Sequence, residues 1–322
     1  MPTSSDCRDA FVAALCAAAE ADPRIVVVMS DSLSTAKLGP FAQRFPERLI
    51  NVGIAEQDLV GVSAGLANGG LVPFACTASM FLAGRALEQI RIDVAYSGYS
   101  VKLCGIGHGF GYGPLGPTHH GTEDVAWLRS IPDLPLIVAA DPIETAEAVR
   151  FAAAHDGPVY LRVSRTPVST VHDPGYRFEL GRAVRLREGS DVTIIACGIV
   201  VADALTAAEM LTVEGIDARV VNMSTIRPID TAEIVAAARE TGGIVTVEEH
   251  SVVGGLGSAV AEVVVIHEPV PVAMVGVPGV FAPSGSSAWL RTHFGIDPAG
   301  IRDTALALAR RRIHRVRVSG RA

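Results

Sequence analysis

One acidic side chain, Glu56, stands where the chain passes from a predicted strand into a long helix rich in Ala and Gly. It belongs to the segment Asn51-Val-Gly-Ile-Ala-Glu-Gln57. A carboxylate fixed at such a position can act as a general acid or base toward a bound molecule. The alternative is structural, because the helix dipole stabilises an acidic residue at a helix start. The small residues Gly61, Ala64 and Gly65 favour the functional interpretation, since they let a second helix approach closely, as at a subunit interface.

A second candidate site combines alternating glycines with three histidines: Gly105-Ile-Gly-His-Gly-Phe-Gly-Tyr-Gly-Pro-Leu-Gly-Pro-Thr-His-His120. The glycines permit unusual backbone conformations and close approach to a ligand. They do not form Gly-x-Gly-x-x-Gly, so a dinucleotide site is not supported. A zinc site is disfavoured, because His119 and His120 are adjacent and no Cys or carboxylate is suitably spaced. A mobile loop is the remaining alternative, although it has little reason to carry three histidines.

Three more side chains are candidates from their positions. Phe81 follows the strand that contains Pro73 and could stack on a planar ring, although packing in the core is the commoner role of Phe. Arg8, on the first helix, and Arg165, just after a strand, could together bind a phosphate group through permanently charged donors. A surface ion pair is the alternative for each arginine.

Alternating buried strands and helices must position these residues. At 322 residues, with 49% hydrophobic and 19% charged residues, the chain is long and apolar enough for two α/β domains with parallel sheets. The pattern predicts a doubly wound domain over residues 1–166, a linker over 167–188, rich in polar and turn-forming residues, and a second doubly wound domain over 189–322.

Charge and cysteine usage exclude several classes of protein. The net charge of −7 argues against nonspecific binding to nucleic acid. No apolar run approaches the roughly 18 residues that a membrane span needs. The five cysteines never form a Cys-x-x-Cys pair, which suits reduced thiols and a cytoplasmic location.

On these motifs the chain resembles the C-terminal part of transketolase over nearly its full length, and thus the second subunit of a split transketolase. Gly53 to Gln57 matches the family motif that carries the glutamate activating thiamine diphosphate, and Gly116 to His119 matches its Gly-Pro-Thr-His. Ser30-Asp-Ser-Leu33 resembles its Ser-Ala-Asp-Leu. The resemblance implies catalytic roles for Glu56 and His119, cofactor binding by Glu56, Asp31 and Phe81, and substrate binding by Arg8, Arg165 and His108.

The resemblance also implies a partner chain. Thiamine enzymes bind magnesium and the diphosphate through a Gly-Asp-Gly motif, which this sequence lacks. We therefore expect this chain to contact the pyrimidine side of thiamine diphosphate and to hold no metal itself, while Mg²⁺ is held by a separate N-terminal transketolase subunit. The expected assembly has two copies of each chain, with a self-dimer of this one.

Three positions depart from the family pattern. Ala78 replaces an aromatic residue, Pro114-Leu115 replaces an acidic pair that binds a substrate hydroxyl, and Gly107 stands where the family has a histidine. We expect a ketose-type donor and an aldehyde acceptor, with a less hydroxylated, bulkier or unphosphorylated substrate. The alternatives are the β subunit of a 2-oxo-acid dehydrogenase, or a non-catalytic dimeric scaffold with a decayed pocket.

Overall fold

The computed structural model describes residues 4–319, and the side chains of residues 5–310. Strands and helices alternate along this part of the chain. The strands are β1 (Ser4–Ser5), β2 (Ile25–Met29), β3 (Leu49–Asn51), β4 (Val72–Ala78), β5 (Lys102–Ile106), β6 (Leu136–Val138), β7 (Val159–Val163), β8 (Val168–Ser169), β9 (Val184–Arg187), β10 (Val192–Ala196), β11 (Ala218–Asn222), β12 (Thr225–Arg227), β13 (Ile244–Ser251) and β14 (Val272–Val277). The helices are α1 (Cys7–Ala21), α2 (Gly39–Arg44), α3 (Glu56–Asn68), α4 (Ser79–Arg85), α5 (Leu87–Gln89), α6 (Asp124–Arg129), α7 (Pro142–Ala154), α8 (Val201–Val213), α9 (Thr231–Thr241), α10 (Leu256–His267), α11 (Ser287–His293) and α12 (Pro298–Ser319).

The first sheet has seven strands in the order β12-β6-β7-β5-β4-β2-β3, and only the β12–β6 pair is antiparallel. Every residue of β2, β4, β5 and β7 is buried. Helices α1 and α7 belong to the hydrophobic cluster on one face, and α3 and α4 to the cluster on the other. Coverage of both faces explains the continuous apolar strands and confirms the predicted doubly wound architecture.

The second sheet repeats this design with five strands in the order β14-β13-β10-β11-β9. Its pairs are parallel apart from β9, which runs antiparallel to β11. Helices α8 and α12 cover one face, while α9 and α10 cover the other. The second α/β unit is therefore also as the sequence predicts.

Short elements interlock the two halves of the chain. Strand β12, from the second half, adds to the edge of the first sheet beside β6. Within the predicted linker, β8 pairs with β1, and β9 joins the second sheet. Sequence periodicity missed these strands because each has only two to four residues, too few to show an alternation.

A buried polar network fastens the seam between the halves. Asn222, at the end of β11, donates from Nδ2 to both carboxylate oxygens of Glu144 on α7, at 2.9 and 3.0 Å. His172 and Asp141 extend the network through an Nδ1–Oδ2 contact of 3.1 Å. Burial opposes the charged imidazole, but the hydrogen bond to Asp141 raises the pKa of His172 above its usual value. The charged groups of this network, Asp141, Glu144 and His172, are thus paired, as burial requires.

Candidate active site

Most of the predicted site residues follow the carboxyl ends of strands in the first sheet. Parallel strands present these ends at one edge, which is where ligands of open α/β sheets bind. The residues and their preceding strands are Asp31 after β2, Glu56 after β3, Phe81 after β4, His108 and His119 after β5, and Arg165 after β7.

Glu56 is the first residue of α3 and is only 4% exposed. Its Oε2 accepts a hydrogen bond from Nη1 of Arg85 at 2.8 Å. Among the described residues, none donates to Oε1 of Glu56, so this oxygen can accept a hydrogen bond from a ligand. A buried carboxylate needs hydrogen-bond partners. Because Oε1 has none among the described residues, a functional interpretation of Glu56 is favoured over a purely structural one.

Asp31 lies at the same edge, and its carboxylate is exposed. Its backbone is left-handed, with φ 52°, a conformation that Asp tolerates better than most residues. Asn51 holds this turn, because its Oδ1 accepts from the backbone N–H groups of Asp31 (2.9 Å) and Gly53 (3.0 Å). Asn51 therefore couples the position of Asp31 to the turn that leads into Glu56.

A continuous series of contacts connects Glu56 with the histidine loop. The Arg85 guanidinium lies 3.9 Å from the centroid of the Phe81 ring. Phe81 in turn meets His119 edge to face, with centroids 5.2 Å apart. His119 contacts the hydroxyl of Thr118 through Nδ1, at 2.9 Å, and its Nε2 makes no hydrogen bond to the described residues. The fold thus places a carboxylate, an aromatic face and an available imidazole nitrogen next to one another. The residues in this series of contacts, Glu56, Arg85, Phe81 and His119, are called the row below.

The two predicted phosphate-binding arginines lie near Tyr112, which is 9% exposed. Arg165 lies over the Tyr112 ring, 4.2 Å from its centroid. Arg8 donates from Nε and Nη2 to Asp6 (3.1 and 2.7 Å) and from Nη1 to the carbonyl of Thr35 (2.9 Å). Burial alone would raise the pKa of Asp6, but hydrogen bonds from Arg8 lower it to about 2. Both arginines are near the site, and both already have partners.

His108 lies apart from this row, buried in the seam between the two halves. Neither ring nitrogen has a hydrogen-bond partner among the described side chains and backbone, and Nδ1 is 4.0 Å from Oε2 of Glu249 on β13. Burial, reinforced by the nearby Arg162, lowers the pKa of His108 well below its usual value. Gly109 allows this packing, because a Cβ there would overlap the Glu249 carboxylate. Substrate binding by His108 stays a prediction, and its burial does not support it.

Two of the positions that depart from the family pattern carry apolar side chains. Ala78 packs with Met80, Phe81 and Tyr112 in a small hydrophobic cluster. Leu115 is 58% exposed on the turn before Gly116. Leu115 is thus an exposed alkyl group where the resemblance leads one to expect an acidic one.

Sequence reasoning missed Arg85, Tyr112 and Glu249. A signal for Arg85 exists, because it stands one helical turn after Phe81 and the two side chains share a face of α4. Tyr112 has no comparable signal, since only the folded glycine loop brings it under Arg165. Glu249 is distant in sequence and reaches His108 only across the seam.

Two open cavities differ in their relation to this row. One of about 650 Å³ borders Phe81, and Met80, Trp127 and Phe281 also line it. Another of about 760 Å³ lies at the opposite edge of the sheet, before β6 and β7, and contains none of the predicted site residues. Within residues 5–310, whose side chains the structure describes, no group of His, Cys, Asp or Glu is suited to hold a metal ion. No helix in that range is long and apolar enough to cross a membrane.

Comparisons with known proteins agree with this arrangement. The family model "Transketolase, pyrimidine binding domain" matches residues 3–170, and "Transketolase, C-terminal domain" matches residues 181–301. A curated relative from Phocaeicola vulgatus, one of the subunits of an apulose-4-phosphate transketolase, is 42% identical over 95% of this chain and 98% of its own length. A 6-deoxy-6-sulfo-D-fructose transketolase subunit, SqwH, of a Clostridium species is 41% identical over 90% of each chain.

Solved structures show the same likeness. A structure described as a split gene transketolase, inactive beta4 tetramer, has a TM-score of 0.87 and 42% identity, covering 95% of this chain and 99% of the other. Two domain matches that together span most of the sequence, and relatives of nearly equal length, agree with the geometry of the site. The chain therefore belongs to the transketolase family.

Proposed function

We propose that this chain is the pyrimidine-binding subunit of a split transketolase. The complete enzyme transfers a two-carbon ketol unit from a ketose-type donor to an aldehyde acceptor. The observation that carries this proposal is the row formed by Glu56, Arg85, Phe81 and His119 at the carboxyl edge of the first sheet. Membership of the transketolase family supports it.

The residues of the row fit thiamine diphosphate, the cofactor that the family implies. When bound, this cofactor supplies the ring carbon that attacks a carbonyl group and carries the transferred unit. Glu56 offers its open Oε1 to a ring nitrogen of the aminopyrimidine, and Phe81 offers a half-buried face for stacking. Asp31 lies at the same edge, where its carboxylate can contact the cofactor.

The remaining residues serve the substrate. His119 moves protons at the substrate oxygen atoms, because its Nε2 is available and the Nδ1 contact to Thr118 fixes the ring. Arg8 and Arg165 orient the end of the substrate that is remote from the carbonyl group. Tyr112 lies beside both Arg165 and His119, since its ring centroid is 4.2 Å from Cζ of Arg165 and 6.3 Å from the His119 ring centroid.

A partner chain completes the site. The sequence has no Gly-Asp-Gly, and among the side chains of residues 5–310 no cluster suits a metal ion. Two relatives are named as single subunits of a larger transketolase, and the tetramer of beta chains is described as inactive. We propose that Mg²⁺ and the diphosphate are held by an N-terminal transketolase subunit, in an assembly with two copies of each chain.

The relatives favour this function over the alternatives. Their names describe transketolases acting on apulose 4-phosphate and 6-deoxy-6-sulfo-D-fructose, both ketose derivatives. Neither a 2-oxo-acid dehydrogenase nor a scaffold protein has comparable support. The exposed Leu115 supports a less hydroxylated substrate, since an alkyl side chain cannot hydrogen-bond a hydroxyl group.

Reconstitution tests the proposal. This chain is mixed with an N-terminal transketolase subunit that carries the Gly-Asp-Gly motif, and thiamine diphosphate binding is measured by calorimetry. Turnover is measured with hydroxypyruvate as donor and an aldehyde as acceptor. We expect binding and turnover only in the mixture. Oxidative decarboxylation with a lipoyl acceptor would support the dehydrogenase instead, and a mixture that binds no thiamine diphosphate would support the scaffold.

A further inference from the structure

Residues 109–121 form a closed loop that carries His119. Its first and last residues are glycines whose backbones exchange two hydrogen bonds, Gly109 N–H to Gly121 at 2.8 Å and Gly121 N–H to Gly109 at 2.9 Å. A Cβ at Gly121 would overlap Oγ of Ser79 and would lie 3.1 Å from Cα of His108, so glycine is needed for this close approach. Because these bonds join its two ends, the closed loop is a compact unit whose position is set at its base.

Strand β13, from the second half of the chain, supports this base at two points. The carboxyl group of Glu249 lies against Gly109, where φ is +56° and a Cβ would come within 2.6 Å of Cδ of Glu249. The backbone N–H of Ser251 donates to the carbonyl of Thr122, which follows the closed loop, at 2.7 Å. The same strand thus contacts both ends of the closed loop.

Arg162 adds a third support at the base. Its Nη2 donates to the carbonyl of Gly121 at 2.6 Å and to that of Glu249 at 3.4 Å, while its Nε donates to Asp124 at 3.0 Å. The side chains of Arg162, Asp124 and Glu249 are all buried. Neither carboxyl oxygen of Glu249 has a hydrogen-bond partner among the described side chains and backbone. A buried polar group without a partner is uncommon in a folded protein and calls for an explanation.

Charged and titratable groups from four elements face Glu249. They are His108 after β5, Arg162 on β7, Asp203 on α8 and Arg291 on α11. Each arginine already pairs with another carboxylate, so neither is reserved for Glu249. Burial raises the pKa of Glu249 to about 7, whereas burial lowers the pKa of His108 well below its usual value. Near neutral pH, Glu249 therefore changes its charge while His108 stays neutral.

We propose that Glu249 is a positioning residue: it supports the base of the closed loop and thereby holds His119 where it can act on the substrate. This inference rests on the proposed two-carbon transfer and adds to it a residue from the second half of the chain. Glu249 acts through Gly109 and the bonds to Gly121. When Glu249 loses its proton, a buried charge without a partner lies against this base, and the closed loop must shift to let water reach it.

Glu249→Ala removes the support. In the reconstituted two-subunit enzyme with hydroxypyruvate as donor, we expect kcat to fall about 10-fold, because His119 is misplaced. Calorimetry should give the wild-type Kd for thiamine diphosphate, since Glu56 and Phe81 are unchanged. Glu248→Ala is the matched control, because Glu248 is the preceding buried carboxylate of β13 and holds the start of α10 instead. The control should keep the wild-type kcat.

Glu249→Gln tests the same role without removing the support. The amide has the shape of the protonated carboxyl group and stays uncharged at every pH. The ratio of kcat in this variant to kcat in the wild-type enzyme should be near one at pH 6 and should rise by pH 8, because only the wild-type residue ionises. Other groups titrate alike in both enzymes, so their effects cancel in the ratio. This measurement decides the matter if Glu249→Ala does not fold.

The outcomes separate the two proposals. Equal kcat in Glu249→Ala and Glu248→Ala, in complexes that bind thiamine diphosphate, would overturn this inference and leave the two-carbon transfer intact. A kcat ratio that stays constant from pH 6 to pH 8 would do the same. Absence of turnover in a wild-type complex that binds no thiamine diphosphate would overturn the proposed function and this inference with it.

Discussion

Glu56 shows how one residue acquires a chemical role from its neighbours. Its position at a helix start is an ordinary one for Glu, but its burial and the single contact to Arg85 leave one oxygen available. Arg85 is half exposed, so water can solvate its guanidinium if Glu56 is removed. The Glu56–Arg85 ion pair therefore contributes little to the free energy of unfolding, and Oε1 of Glu56 stays available to hydrogen-bond the ring of a bound ligand.

Glu56→Gln should reduce the turnover of the reconstituted enzyme by orders of magnitude, because an amide cannot exchange a proton with the aminopyrimidine. The free energy of unfolding of this chain should change by less than about 1 kcal/mol. Glu262→Gln is the control, since Glu262 pairs with Arg129 at 2.6 Å outside the row. Equal turnover in the two variants would show that Glu56 has no catalytic role.

Gly107→Ala tests the fit between the glycine loop and Tyr112, because a Cβ at Gly107, where φ is +72°, would overlap the edge of the Tyr112 ring. Gly98→Ala is the control for backbone strain, because Gly98 also has a positive φ (68°) but nothing near its Cβ position. We expect Gly107→Ala to lower the free energy of unfolding by about 1–3 kcal/mol more than Gly98→Ala does, because it adds overpacking. This excess, measured by urea denaturation, should largely disappear in a Tyr112→Ala background. An excess of equal size in that background would show that Tyr112 does not fill the space.

At the scale of elements, strand ends and helix starts position the site. Strand β5 ends at the glycine loop, and the backbone N–H of Gly285, from the second half, donates to the carbonyl of Gly113 in that loop at 3.2 Å. His120 Nε2 contacts the same carbonyl at 3.1 Å. His119 is held by a loop that both halves of the chain support.

Helix α10 depends on a carboxylate from the preceding strand. Glu248 accepts from the backbone N–H groups of Leu256 (2.7 Å) and Gly257 (2.8 Å) at the start of this helix. Glu248→Ala should lower the free energy of unfolding by about 2 kcal/mol, because two buried donors lose their acceptor. Glu268→Ala, at the other end of α10, removes only a surface contact to Arg239 and should cost about 0.5 kcal/mol or less. Equal losses in urea denaturation would contradict this assignment.

At the scale of the molecule, buried charges in the seam couple the two halves. Glu249 faces Arg291, Arg162, Asp203 and His108, and burial raises its pKa to about 7 although both arginines oppose the shift. Arg162 also bridges the halves, since its Nη2 donates to the carbonyl of Gly121 in the first half (2.6 Å) and to that of Glu249 in the second (3.4 Å). The stability of the chain should therefore depend on pH near neutrality.

The sign of this dependence follows from the raised pKa. The folded state binds the Glu249 proton more tightly than the unfolded state, whose carboxyl has a pKa near 4.5. The stabilisation is complete below about pH 4.5 and is lost as pH rises from 4.5 to about 7. Glu249→Gln should remove this contribution to the dependence of the free energy of unfolding on pH. His172, whose pKa is also raised, contributes equally in the wild-type protein and in the variant. Urea denaturation at pH 5, 6, 7 and 8 measures the free energy of unfolding of both proteins. If the two plots of this free energy against pH were parallel, the assigned role of Glu249 would be contradicted.

The sequence by itself determined the repeated α/β architecture, the family and the candidate role of Glu56. Local signals sufficed, because buried parallel strands are continuously apolar and short motifs mark the strand ends. The short strands β8, β9 and β12 escaped prediction, since each is stabilised by its partner strand rather than by its own pattern.

Only the tertiary structure decided which side chains meet. It placed His108 against Glu249 in the seam, away from the row, although both His108 and His119 lie on the same glycine-rich segment. It also brought Tyr112 under Arg165 and tied Arg8 to Asp6 and Thr35. Apart from the Arg8–Asp6 pair, these contacts join residues that are distant along the chain, and their geometry depends on packing across the sheet and the seam, which local sequence patterns do not encode.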